Sequence, residues 1–128
     1  MRTLTKEQVD RVNALADAIE ADPAAFDYSN PFHIKKGAVC PTCIGGWAAR
    51  LWPEEVGYRY GNGDGSWLDG ALTDFLGMNK DEHDLLTYTP KTKGGRSFGR
   101  RVTAAVAVAV LRRYAATGEV FFDPGDGR

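Results

Sequence analysis

A chain of 128 residues with 43% hydrophobic and 26% charged side chains has the composition of one globular domain, able to bury roughly two-thirds of its unfolded surface. Residues 1–19 are charged throughout and lack the apolar core of a signal peptide, and the most apolar stretch, residues 102–111, is about half of what a bilayer span requires. A net charge of −1 argues against a dedicated nucleic-acid binder, and two cysteines make no disulfide framework, so the chain reads as cytoplasmic with no membrane partner.

Thr5-Lys6-Glu7-Gln8 has the form of a capping box: the Thr5 hydroxyl takes an orphan amide while Gln8 reaches back. Behind it Val12, Leu15, Ala16 and Ile19 recur on one helical face, with Val9 near it, which predicts a helix over about residues 6–21. Asp22-Pro23 restarts the chain, with Asp22 as N-cap and Pro23 at the first helical position of a single turn through Phe26. Residues 27–39 read as a loop broken at Asn30-Pro31 and Gly37.

A second helix is expected from residues 41–42 to about 51, stopped by Pro53, with Ile44, Trp47, Ala48 and Leu51 as its apolar face. Gly45-Gly46 costs it about 2 kcal/mol against alanine, a cost that makes sense where a neighbouring backbone approaches closely. Residues 58–65 are glycine-rich and read as a surface loop or an irregular hairpin. A third helix over about residues 67–76 carries Leu68, Ala71, Leu72, Phe75 and Leu76 on one side, and Gly77 stands where a left-handed C-cap belongs. Asn79-Lys80-Asp81-Glu82 resembles a second capping arrangement, opening a short helix to about residue 86. After a loop over residues 90–99, an alanine-rich helix over about residues 98–117 closes at Gly118 and is expected to be the most buried element. Val120-Phe121-Phe122 reads as an extended tail folding back, beside residues 58–60.

On these elements the sequence resembles a family of small, uncharacterised helical proteins of bacteria and their phages. The resemblance rests on Asp22-Pro23-Ala24-Ala25-Phe26-Asp27, Cys43-Ile44-Gly45-Gly46-Trp47-Ala48, Leu76-Gly77-Met78, Asp81-Glu82 and the alanine-rich residues 104–118. Its sharpest part is the family's Cys-Ile-Ala-Gly-Trp-Ala-like motif. Two departures stand out. The family's His-Pro is Asp22-Pro23 here, and its Cys-Gly-Thr is Cys40-Pro41-Thr42 with a shorter gap to Cys43. The resemblance implies a helical fold and a phage or mobile-element context, and brings no activity.

Four chemistries compete for the polar residues. Cys40 and Cys43 have zinc-ligand spacing, and His33 and His83 would complete a tetrahedral site. The histidines, however, lie on separate segments with no second paired motif, so buried packing cysteines and no metal are expected. A redox pair is weakened by the lack of a preceding strand. Catalysis has little support, since no nucleophile motif accompanies either histidine, and neither an enzyme nor a cofactor is expected. The fourth is anion or partner binding. Residues 85–118 hold Lys91, Lys93, Arg96, Arg100, Arg101, Arg112 and Arg113 without one Asp or Glu. A glycine-rich loop leading into a helix offers amides and a dipole to an anion. The alternative is a loop whose cations pair with carboxylates of the same domain. Tyr58, Tyr60 and Trp67, around the other glycine loop, read either as half-buried aromatics under that loop or as a contact patch suited to protein or base contacts.

The expectation is therefore an all-α single domain, residues 1–128, of about five helices. It would be a non-enzymatic accessory protein that binds another protein, a host factor if the gene is phage-borne. The alternatives are a nucleic-acid-binding protein using loop 91–101 and a small zinc or redox protein. The partner surface is assigned to Tyr58, Tyr60, Trp67, Lys91, Lys93, Arg96, Arg100 and Arg101.

Overall fold

The first helix begins where the sequence places a cap. In the computed structural model, Thr5 Oγ1 accepts the Gln8 amide at 3.1 Å and Gln8 Oε1 accepts the Thr5 amide at 3.0 Å, which starts helix α1, Lys6–Ala21. The structure describes residues 3–26, 47–48, 51–52, 75–87, 90–99 and 101–127. Val12, Leu15, Ala16 and Ile19 are buried along α1, each of the three larger side chains contributing about 1.5–3 kcal/mol. Asp22 ends α1, and Pro23–Ala25 forms a single 3-10 turn. The cap there is backbone only. The Asp22 carbonyl accepts from Ala25 at 3.2 Å, and its carboxylate makes no capping bond.

Helix α2, Lys80–Thr87, opens on a second reciprocal box. The Glu82 amide donates to Asn79 Oδ1 at 2.8 Å, and the Asn79 amide donates to Glu82 Oε1 at 2.9 Å. Helix α3, Ala104–Thr117, is capped by Thr103, whose hydroxyl accepts from the Val106 amide at 3.3 Å. It ends at Gly118, at φ 76°, with the Gly118 amide on the Tyr114 carbonyl. Its buried residues are Ala104, Val106, Ala107, Val108, Val110, Leu111 and Tyr114. They pack against α1, and the two helices form the centre of the described core together with Phe26, Trp47, Leu76, Met78, Leu86, Phe98 and Phe122.

One boundary and one buried position differ from expectation. α3 starts six residues later than residue 98, because Gly99 takes φ 72°, a conformation outside the helix, and Thr103 supplies the cap instead. Phe98 and Val102 are still buried, so their apolar character is real but belongs to the approach to the helix. Leu51 is the other departure. It is helical, yet 38% exposed, whereas its neighbour Trp52 packs its ring edge-on to Phe75 at 4.9 Å between centroids.

Phe75 and Leu76 are helical and Gly77 follows at φ 77°, the left-handed cap that the sequence suggests. The helix-end carbonyls find donors on other elements: Tyr114 Oη donates to the Leu76 carbonyl at 2.9 Å and Arg11 Nη1 to the Phe75 carbonyl at 3.0 Å. Orphan carbonyls of a helix end thus pin it to α1 and α3. The described residues are all-α apart from one isolated antiparallel bridge, Lys91 to Ser97. No described helix is long and apolar enough to cross a membrane.

Candidate functional site

The glycine-rich basic loop is a tight hairpin. The bridge between Lys91 and Ser97 is flanked by hydrogen bonds from the Thr92 amide to the Arg96 carbonyl at 2.8 Å and from the Phe98 amide to the Pro90 carbonyl at 2.9 Å. At the tip the Gly95 amide donates to the Thr92 carbonyl at 2.9 Å, with Gly95 at φ 82°, where glycine carries no steric penalty. The amides of Thr92 and Gly95 are therefore used inside the turn and are not a nest for an anion.

The tail over residues 120–122 folds back, and its partner among the described residues is this hairpin. The Phe122 amide donates to the Lys91 carbonyl at 2.9 Å, and the Phe122 ring lies 5.2 Å from that of Phe98. Phe121 sits under two cations, with the Arg113 guanidinium 4.4 Å and Lys93 Nζ 5.4 Å from its ring centroid. An open groove of about 440 Å³ runs along this junction, lined by Leu85, Lys91, Lys93, Val120 and Phe121 with the carboxylates Glu82 and Glu119.

The basic residues divide into two sets. Arg112 reaches α1, with Nη2 2.5 Å from Asp17 Oδ1 and Nη1 3.3 Å from Asn13 Oδ1, and Glu20 at 3.7 Å. Arg113 pairs with the buried carboxylate of Asp126 and donates to the Phe121 carbonyl at 2.8 Å. Lys93 lies 3.5 Å from Glu119. These three are neutralised within the domain. Lys91, Arg96 and Arg101 are exposed, and no carboxylate among the described residues pairs with them.

Arg101 precedes the Thr103 cap and so lies outside α3, on the approach to it. Arg100 lies outside the described residues, as do Tyr58, Tyr60 and Trp67 and the glycine pair at 45–46. Of the zinc candidates, Cys40, Cys43 and His33 are likewise outside, and His83 lies on α2. Among the described residues no three of His, Cys, Asp or Glu come together as a metal site requires.

Sequence reasoning missed the part played by Phe121, Arg113 and Asp126. The signal was present in Asp123-Pro124-Gly125-Asp126, a turn sequence. Asp123 Oδ1 accepts from the Gly125 amide at 2.8 Å, the Asp126 amide donates to the Asp123 carbonyl at 2.9 Å, and Asp126 Oδ2 accepts from the Asp123 amide at 2.8 Å. Comparison with protein-family models, with curated proteins and with solved structures yields no match to this chain.

Proposed function

We propose that this chain is a non-enzymatic accessory protein that binds another protein, with Lys91, Arg96 and Arg101 at the centre of the contact surface and Lys93, held by Glu119, beside them. One observation carries the reading: three exposed cations have no carboxylate partners among the described residues, two of them, Lys91 and Arg96, on a hydrogen-bonded hairpin and Arg101 on its approach to α3. A preorganised charged surface loses little conformational freedom on binding and steers an acidic partner. Arg100 adjoins it in sequence, and the aromatic loop with Tyr58, Tyr60 and Trp67 is its proposed second half. The reading retains about five helices for the whole chain, a cytoplasmic location, and a host protein as partner in a phage or mobile-element setting.

The test is affinity capture from the native cell with the wild-type chain and with Arg96→Glu/Arg101→Glu. Both substituted residues are exposed and outside the core, so thermal unfolding should move by less than about 0.5 kcal/mol. A partner retained by wild type should be lost from the variant at equal protein level. Retention by both would place the contact elsewhere.

Binding of nucleic acid through the same residues is the second reading. The observation in its favour is that residues 85–118 contain seven Lys or Arg and no Asp or Glu.

A further inference from the structure

We infer that residues 120–127 are a strap that holds the basic hairpin in shape, and that the Arg113–Asp126 pair is its clasp. The strap and hairpin together form a unit that opens separately from the α1–α3 core. The inference goes beyond partner binding and holds whatever the partner is.

The hairpin has limited support of its own. It is a short two-stranded turn with a single bridge, and an isolated hairpin of that kind is marginally stable in water. What the strap adds is specific. Its Phe122 amide occupies the outward-facing Lys91 carbonyl, and its Phe122 side chain is fully buried against Phe98. Glu119, just before the strap, and Phe121 within it receive Lys93 from the hairpin tip.

The strap is in turn held from α3. Arg113 spans it, with Nη1 on the Phe121 carbonyl and Nη2 on Asp126. The same carboxylate accepts the Asp123 amide, so one buried side chain both closes the terminal turn and ties it to the helix. Beyond it Gly127, at φ 77°, lies against α3 so closely that a Cβ would fall 2.8 Å from Val106 Cγ2. The clasp thus has two independent points, a charge pair at 126 and a backbone seat at 127.

Removing one partner of a buried charge pair leaves the other uncompensated, so Asp126→Asn weakens the clasp at its charge. Gly127→Ala weakens it at its seat with no change in charge. Amide hydrogen exchange on the full chain reads both, because locally opening units exchange together and apart from the core. Both variants should raise exchange at the Thr92, Phe98 and Phe122 amides by a similar factor, on the order of a hundredfold for Asp126→Asn. The α1 and α3 amides from Val12 to Ile19 and from Val110 to Tyr114 should stay within about threefold of wild type. Faster exchange confined to residues 123–127, with the hairpin amides unchanged, would overturn the inference. So would a uniform rise at every amide, which would make the strap part of one global unit.

Discussion

Gly77 concentrates two separate demands on one position. Its φ of 77° lies where a side chain is strained, and a Cβ there would meet Gln8 Cδ, Gln8 Oε1 and Leu4 Cδ2, each at 2.9 Å. Gln8 is not free to move away without loss, since its Oε1 accepts the Thr5 amide in the capping box of α1. Gly77→Ala therefore strains the backbone and loosens a helix start remote in sequence. The two together should destabilise the fold by about 1–3 kcal/mol, read as a lower urea midpoint at unchanged m-value. Gly95 is the control. It also has positive φ, at 82°, but nothing lies within 4 Å of its added Cβ. Gly95→Ala should show the backbone part alone and so cost measurably less than Gly77→Ala in the same denaturation series.

At the scale of elements, caps decide more than propensity does. Helix α2 spans 8 residues, too few to persist alone in water, and its reciprocal bonds with Asn79 satisfy amides that would otherwise be left to water. Asn79→Ala should cost about 1 kcal/mol and raise exchange in the first turn of α2 while leaving α1 protected. This cap and that of α1 were legible in the sequence because a capping box is a local code, read over four residues. The buried face of α1 was legible for the same reason, since Val12, Leu15, Ala16 and Ile19 repeat at the helical period. The start of α3 was not. Phe98 and Val102 are apolar because they enter the core from the hairpin side, and periodicity cannot tell that from a helical turn. Leu51 and Trp52 show a related limit, because which of two adjacent apolar residues faces inward depended on the position of Phe75. The basic segment was legible as a charge pattern. Its division into paired and exposed cations was not, since Asp17 and Asp126 reach Arg112 and Arg113 only through tertiary packing.

For the whole molecule, that division sets how strongly the chain can hold an anionic polymer. The formal charge is −1, so long-range attraction to nucleic acid must come from a local cluster. Arg112, Arg113 and Lys93 are already engaged by carboxylates of the chain. Lys91, Arg96 and Arg101 remain on the described surface. Three phosphate contacts give a slope of log affinity on log salt of about −2.7, or roughly a fortyfold loss of affinity between 50 and 200 mM salt. A protein that relies on duplex contacts typically makes about 6–10 of them, and its slope is correspondingly steeper. Fluorescence anisotropy with a generic labelled DNA duplex, titrated at 50, 100 and 200 mM salt, should therefore show weak binding with a slope no steeper than about −3. A slope near −6 or beyond would mean that the paired arginines and Arg100 also reach phosphate. The internal ion pairs would then open on binding, and the nucleic-acid reading would displace the protein-partner one. With the shallow slope, the cations act as a steering patch of limited reach. Specific affinity must then come from shape and apolar contact, for which the groove between Leu85, Val120 and Phe121 is the adjoining surface.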